Sequence, residues 1–302
     1  MSDYPPQKTY YMETNALYVL SNHFNAIANS NMKVATSIFA LQEIVDGVDA
    51  GSFHRRKVLL SKLCSSSVTI YPYLPKECIT TAFHLDVSAR PQILDEKAAL
   101  LEQIKLIRSS ESFSVYCDRS ANELGIDVIA ARKSDDQREQ ENKRIISKEI
   151  ESDRIYIRKL RKEQAEHPSY IQIDPIKAFS LHTDVPDINL HSDEAKLLQS
   201  VLDSLLITYE EQDLRDIMLQ KDPDALVAFF LGCQLYGGAK ALELDRKLAG
   251  HNDVNDLIHL LYLRNRDSLI VSEDTIFDIS SMGDMRIKND AFLELIQKFR
   301  FY

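Results

Sequence analysis

Apolar positions near the start of the chain alternate between short runs and segments with helical spacing. The aromatic-rich run at residues 9–12 predicts a first strand, and the apolar run at residues 68–74 predicts a second. Between them, apolar residues recur every three or four positions and predict helices at residues 16–28, 34–48 and 54–63. A β-α-α-α-β order of this kind is typical of an α/β fold with a parallel sheet.

The middle of the chain has a different pattern, because nearly every segment between about residues 95 and 250 shows helical periodicity. Residues 133–166 are charged almost throughout, with isolated isoleucines, and predict a long exposed helix or one arm of a helical hairpin. The α/β pattern then returns, with a predicted helix at 256–263, a strand at 267–271 and an amphipathic helix at 290–299.

These changes of pattern predict one α/β domain that is interrupted by an insertion. The fold class is a parallel sheet flanked by helices, with its first half in residues 1–90 and its second half in residues 250–302. Residues 91–249 form a mostly α-helical insertion that contains the long charged helix.

Composition narrows the class of protein. Hydrophobic residues make up 44% of the chain and charged residues 27%, which is the balance of a soluble globular protein. The longest apolar run, at about residues 225–236, is too short to cross a bilayer, and the first residues lack the blocks of a signal peptide. We therefore expect a cytoplasmic protein with no membrane partner. Four widely spaced cysteines predict reduced, buried thiols: Cys64, Cys78, Cys117 and Cys233.

Charge is distributed unevenly along the chain. The net charge of −10 argues against a protein that coats nucleic acid non-specifically, although a cation-binding cluster of carboxylates is itself a source of negative charge. Residues 132–162 contain 11 basic and 7 acidic side chains, whereas residues 166–250 contain 7 basic and 15 acidic ones. The basic segment is either a solvated helix face, an arm that guides nucleic acid with Tyr156 available for stacking, or a seam of isoleucines for a second copy or a partner.

Four acidic residues lie where predicted strands end or on predicted helices. Glu13 ends the first strand, Glu43 lies on the second helix, Asp256 begins a helix, and Asp274 follows the last strand. Ligands collect at the carboxyl ends of parallel strands, and hard cations such as Mg²⁺ and Mn²⁺ prefer oxygen ligands. Together these acids predict a metal site that activates water and neutralises charge on a phosphodiester.

Each acid also has a simpler interpretation. Glu13 can stabilise a helix amino terminus, and Glu43 can be an ordinary solvated helix acid. Asp256 can cap a helix, and Asp274 can hold the turn after a strand. If all four simpler interpretations hold, the acids occur by chance at four suitable positions in the order that a metal site would need.

Four segments resemble the motifs of PIN-domain nucleases. Residues 11–17, Tyr-Met-Glu-Thr-Asn-Ala-Leu, resemble the signature in which a strand ends in an acid before Thr-Asn and an apolar helix. Residues 37–43 and 255–261 resemble the segments that carry the second and third acids, and residues 270–277 resemble the fourth. The chain departs from the family at Glu13, where an aspartate is usual, and in its much longer gap between the second and third acids.

The resemblance spans about residues 8–88 and 250–302 and implies a PIN-like fold and activity. It implies an endoribonuclease that cleaves single-stranded RNA with one or two Mg²⁺ or Mn²⁺ ions held by the four acids, and DNA is the alternative substrate. A second hypothesis is a catalytically weakened PIN-like scaffold or binding module, which the unusual Glu13 favours. A third is a toxin or defence nuclease held inactive by a partner on the insertion.

Further residues are predicted to support the acids or to contact nucleic acid. Thr14, Asn15 and Ser272 would orient carboxylates and waters, and Asp253 is an additional ligand candidate for which a helix-capping role is favoured. His251 and His259 are predicted to be structural or solvated, because no second histidine lies at metal-ligand spacing. The predicted nucleic-acid contacts are Arg55, Arg56, Lys57, Arg158, Lys159, Arg161 and Lys162.

Overall fold

A computed structural model describes residues 8–166, 190, 192–222, 225–242, 253–263, 268–278 and 285–299. Its five described strands are β1 Thr9–Met12, β2 Lys33–Ser37, β3 Thr69–Tyr71, β4 Ser268–Val271 and β5 Arg286–Ile287. They form one sheet in the order β3-β2-β1-β4-β5, and every pair of neighbours is parallel. The predicted α/β class, a parallel sheet flanked by helices, is therefore confirmed.

Helices account for most of the remaining described chain. Those that surround the first three strands are α1 Thr14–Leu20, α2 Phe24–Ala28, α3 Ile38–Asp46, α4 Phe53–Cys64 and α5 Pro75–Ala82. The next group is α6 Pro91–Ser109, α7 Phe113–Arg119, α8 Val128–Glu166, α9 Asp193–Ser204, α10 Glu211–Leu219 and α11 Val227–Leu242. The last are α12 Asp253–Ile258, a 3₁₀ turn at His259–Tyr262, a second 3₁₀ turn at Thr275–Asp278, and α13 Asn289–Phe299.

The strand order creates a crevice beside β1. The chain runs from β1 to β2 and then to β3 on one side, whereas β4 returns to pair with β1 on the other side. In register, Tyr11 pairs with Ala35 of β2 and with Ile270 of β4. Ligands of open α/β sheets bind at such a reversal of strand order, outside the carboxyl ends of the strands. The reversal between β1 and β4 therefore predicts where a functional site should lie.

The predicted helix at residues 34–48 is wrong in its first part. Residues Lys33–Ser37 form β2, and α3 begins only at Ile38, so the opening order is β-α-α-β-α-α-β. Val34, Ala35 and Thr36 are all buried, because β2 is an interior strand covered on both faces. Such a strand lacks polar–apolar alternation, and periodicity cannot separate it from the start of a buried helix.

Two other predicted helices are divided in the structure. Residues 16–28 form α1 and α2, separated by a turn in which the His23 amide donates to the Leu20 carbonyl at 2.8 Å. Residues 256–263 continue α12 into the 3₁₀ turn at His259–Tyr262. The predicted first residue of the last long strand, Asp267, lies outside the described residues, as does His251.

The described residues between β3 and β4 contain helices and no strand. The first long helix there, α6, packs against α3 and α4, and the long helix α8 packs along α11. Arg154 of α8 is buried, and its Nε and Nη2 donate to the Lys240 carbonyl of α11 at 3.0 and 2.8 Å. Buried apolar side chains from the sheet and from these helices form one connected core.

In the part of the chain that the structure describes, no helix has the length and apolarity needed to cross a bilayer. All four cysteines are free thiols, but the prediction that they are buried is wrong for Cys64, which is exposed, and Cys117 and Cys233 are only partly buried.

Candidate active site

Glu13 follows β1 directly and is the amino-terminal cap of α1. Its Oε1 accepts a hydrogen bond from the Ala16 amide at 3.0 Å, and its Oε2 accepts one from the Asn15 amide. The Ser272 hydroxyl, immediately after β4, also hydrogen-bonds Glu13. Burial raises the pKa of Glu13, while the positive charge of His259 and the two amide hydrogen bonds act in the opposite direction. The predicted capping role of Glu13 is therefore present in the fold, at the carboxyl end of β1.

Glu43 lies on α3 and faces the same crevice. Its Oε2 accepts a hydrogen bond from the Thr14 hydroxyl and one from His259 Nε2, the latter at 2.8 Å. Burial alone would raise the pKa of Glu43, but the charge and hydrogen bond of His259, with that of Thr14, lower it below its usual value. Glu43 is therefore an ionised, oriented carboxylate, and the prediction that it is simply solvated is wrong.

His259 is the partner that the sequence did not reveal. It belongs to the 3₁₀ turn after α12, its side chain is 1% exposed, and its Nδ1 lies 2.7 Å from the Tyr11 hydroxyl. Burial opposes its protonation, but the carboxylates of Glu43, Glu13 and Asp256 outweigh burial and raise the pKa of His259. A lone histidine inside the apolar run at residues 257–261 was the available sequence signal.

Asp256 has a strongly raised pKa. Burial, together with the negative charges of Asp274, Glu43 and Glu13 and against the opposing effect of His259, raises the pKa of Asp256 to about 8. The shift reflects first the removal of the carboxyl group from water and then repulsion by the neighbouring carboxylates. The charges of the other three predicted acids therefore all act on Asp256.

Asp274 follows β4 and closes the turn that leads into the 3₁₀ helix. Its Oδ1 accepts from the Ile276 amide at 3.0 Å, and its own amide donates to Ser272 Oγ at 2.9 Å. Arg286 of β5 donates from Nη1 to the Asp274 carbonyl at 2.8 Å. The predicted turn role is thus realised, and the Asp274 charge still acts on Asp256.

The residues predicted to support the acids have different roles. Thr14 donates to Glu43, Ser272 hydrogen-bonds Glu13, and Asn15 acts through its backbone amide. Asp253, the first residue of α12, accepts a hydrogen bond from the Tyr236 hydroxyl of α11. Asp253 thus links α12 to α11.

The four acids have the donor chemistry of a divalent-cation site, although as placed no three described His, Cys, Asp or Glu side chains are grouped closely enough to hold an ion. Carboxylate oxygens are the ligands that Mg²⁺ and Mn²⁺ prefer, and a bound cation would offset the burial and the like-charge repulsion that raise the pKa of Asp256.

Comparison with protein-family models, curated proteins and solved structures found no match to this chain. The interpretation of the site therefore depends on its own geometry and charge.

The three basic residues predicted on α4 differ in their surroundings. Arg56 donates from Nη1 to the carbonyls of Glu43 and Ile44 at 3.1 and 2.8 Å, so it caps the end of α3. Lys57 donates to the Ser110 carbonyl at 2.7 Å. Arg55 is exposed and its guanidinium lies 4.3 Å from the centroid of the Tyr18 ring. Arg55 is the member of the three best placed to contact a phosphate.

The predicted contacts on α8 are solvent-facing where they are described. Arg158, Lys159 and Lys162 are exposed, and the side chain of Arg161 lies outside the described part of the chain. Tyr156 is also exposed, as stacking on a base requires.

A cavity of about 360 Å³ opens at the opposite end of the sheet, beside Thr9, Lys33 and Thr69 at the starts of β1, β2 and β3. None of the described residues that line it is acidic. The cavity is therefore separate from the candidate site.

Proposed function

We propose that this chain is a metal-dependent endonuclease that hydrolyses the phosphodiester bonds of single-stranded RNA. The observation that carries the proposal is the placement of the acids: Glu13 follows β1 and caps α1, Asp274 follows β4, and Glu43 accepts hydrogen bonds from Thr14 and His259. The acids lie at the reversal of strand order beside β1, where ligands of such sheets bind. The resemblance of four segments to PIN-domain motifs supports a nuclease, and the preference for RNA comes from that resemblance alone.

Glu13, Glu43, Asp256 and Asp274 would hold one or two Mg²⁺ or Mn²⁺ ions. A bound ion would supply an activated water and neutralise charge that develops on the phosphate. The chain's own contribution is orientation, because three of the carboxylates are held before any ligand arrives. The amides of α1 hold Glu13, His259 and Thr14 hold Glu43, and the Ile276 amide holds Asp274. Such preorganisation lowers the cost of forming the reactive geometry.

A cleavage assay tests the proposal directly. We expect purified protein with Mn²⁺ or Mg²⁺ to cut labelled single-stranded RNA internally, and a chelator to stop the reaction. Single-stranded and duplex DNA of the same sequence serve as comparison substrates, and faster cutting of DNA would reassign the substrate. Absence of cleavage with either metal on every substrate would contradict the nuclease proposal.

One feature favours the second candidate, a catalytically weakened scaffold or binding module. Both oxygens of Glu13 accept amide hydrogen bonds from α1, and Oε2 of Glu43 accepts two side-chain hydrogen bonds. Carboxylates engaged in this way have fewer lone pairs for a cation. The scaffold proposal expects RNA or protein binding without metal-dependent cleavage, so the assay above separates the two.

Arg55→Gln is expected to weaken RNA binding and to flatten its salt dependence. The measurement uses protein that also carries Asp274→Asn, so that the RNA is bound but not cut. Loss of one phosphate contact on single-stranded RNA should reduce the slope of log affinity against log salt concentration by about 0.7. Lys57→Gln is the matched control, because it removes one charge from the same helix but its amine is bonded to the Ser110 carbonyl. Equal slopes for the parent and Arg55→Gln would remove Arg55 from the substrate path.

We also propose that the chain assembles with a second copy or a partner through the exposed face of α8 that contains Ile155. Ile155 is 59% exposed, whereas Ile150 is 3% exposed and belongs to the core of its own chain. Ile155→Asp is expected to reduce the molecular mass measured by light scattering if α8 is the interface. Ile150→Asp, in contrast, should lower the free energy of unfolding, because it buries an unpaired charge. An unchanged mass for Ile155→Asp would exclude this surface.

A further inference from the structure

A continuous series of buried polar side chains connects the interior of the sheet to Glu43. Ser37 Oγ lies 2.8 Å from the Tyr11 hydroxyl, which lies 2.7 Å from His259 Nδ1, and His259 Nε2 lies 2.8 Å from Glu43 Oε2. Ser37 and Tyr11 are fully buried, and His259 almost so. Buried polar groups are costly unless they are hydrogen-bonded, and these are. The imidazole ring therefore has one defined orientation.

Hydrogen-bond chemistry fixes the role of the ring nitrogen that faces Glu43. An ionised carboxylate only accepts, so Nε2 of His259 must carry the hydrogen in its bond to Glu43. Burial raises the pKa of Tyr11 well above its usual value, so its phenol stays protonated at neutral pH. Turning the ring would break the bonds at both nitrogens. The packing of Phe39 against the ring, with centroids 5.1 Å apart, also restricts it.

Both side-chain hydrogen bonds to Glu43 end on the same oxygen. Thr14 and His259 both donate to Oε2 of Glu43, and neither of them donates to Oε1. A carboxylate fixed at one oxygen presents the other in a defined direction. Donors behind a ligating carboxylate commonly set its orientation and its affinity for the metal.

We propose that His259, held in place by Tyr11 and Ser37, is a positioning residue that directs Oε1 of Glu43 toward a divalent cation. The inference rests on the proposed function in one respect, namely that Glu43 is a metal ligand. It assigns a role to three residues outside the four acids, two of them in the strands β1 and β2. It also explains why a tyrosine lies at the buried position 11, where an apolar side chain would otherwise suffice.

Tyr11→Phe tests the proposal because it removes the hydroxyl that holds His259 and keeps the ring. Tyr262→Phe is the matched control. Tyr262 stacks on Tyr11 with centroids 5.6 Å apart, and its hydroxyl donates to the Tyr73 carbonyl at 2.8 Å. The Tyr262 hydroxyl also hydrogen-bonds Ser37, but Tyr262→Phe leaves the hydroxyl of Tyr11 that contacts His259 in place. Each variant loses one buried hydroxyl, so a purely structural role predicts the same consequences for both.

The measurement is the Mn²⁺ dissociation constant, from the electron paramagnetic resonance signal of free Mn²⁺. We expect Tyr11→Phe to weaken binding by about 10- to 100-fold and Tyr262→Phe to leave it within about twofold. His259→Gln keeps an amide donor for Glu43 and should retain more affinity than His259→Leu. Thermal unfolding of all four variants verifies that each is folded before its affinity is compared.

Three outcomes have different meanings. Loss of affinity in Tyr11→Phe but not in Tyr262→Phe, with the glutamine variant intermediate, supports the positioning role. Mn²⁺ binding that is equal in the parent and all folded variants overturns that role and leaves the proposed function intact. A parent protein that binds no Mn²⁺ overturns the proposed function, and the positioning role with it.

Discussion

Asp274→Asn is expected to abolish metal-dependent cleavage while the protein stays folded. The substitution removes one negative charge and almost no volume. Asparagine retains an Oδ1 acceptor for the Ile276 amide, so the turn after β4 should survive. The charge that acts on Asp256 is lost, and with it one carboxylate ligand. We expect the cleavage rate at saturating RNA to fall by at least about 10²- to 10³-fold, the effect of removing one electrostatic contact from an active site.

The control for this variant is Asp290→Asn. Asp290 is exposed in the first turn of α13, and the substitution makes the same chemical change away from the four acids. Its cleavage rate should equal that of the parent. Circular dichroism and thermal unfolding establish that both variants are folded. Undiminished cleavage by Asp274→Asn would show that the acids do not form the active site.

Asp256→Asn is expected to stabilise the metal-free protein at alkaline pH. Burial, with the charges of Asp274, Glu43 and Glu13, raises the folded-state pKa of Asp256 to about 8 from an unfolded value near 4. Ionisation is therefore easier in the unfolded chain than in the folded one. The penalty is absent below about pH 4, grows as pH rises, and is complete above about pH 8. Replacing Asp256 removes it.

We expect the free energy of unfolding of Asp256→Asn to exceed that of the parent by about 2–3 kcal/mol at pH 9. This difference is smaller than the full pKa shift would give, because the carboxyl group is partly exposed and solvent screens its charge. At pH 4 the two should be nearly equal. Urea denaturation in chelator, across this pH range, measures the difference. Mn²⁺ should reduce it, because a bound cation neutralises the same charge in the parent. A constant difference across pH would show that Asp256 ionises normally in the fold.

Sequence patterns predicted the elements whose flanks carry clear signals. The predicted strand at residues 9–12 matches β1, because polar residues follow it at once. The predicted helix at residues 54–63 matches α4 Phe53–Cys64 to within one residue at each end. The amphipathic helix Asn289–Phe299 was predicted to within one residue. β2 was missed because its residues are buried on both faces and lack alternation.

The candidate acids were proposed from local sequence, because Glu13 and Asp274 follow strands, Asp256 lies in the first turn of a helix and Glu43 lies within a motif-like helix. His259 could not be predicted from local sequence. Its partners are Tyr11 and Glu43, which lie more than two hundred positions earlier in the chain. The capping of α3 by Arg56 was missed for a related reason, since a lysine or arginine on an exposed helix looks like any other surface charge.

The pairing of β1 with β4 has a consequence for the folding of the chain. Tyr11 pairs with Ile270, so the two strands that flank the crevice are joined by nearly the whole length of the chain. The equilibrium cost of closing so long a loop is small, since each doubling of length adds only about 0.6 kcal/mol. The kinetic cost is larger, because folding slows as contacting residues become more distant in sequence. During synthesis, the edge of β1 that pairs with β4 has no partner until β4 emerges, so Asp274 can join Glu13 beside β1 only after most of the chain has been made.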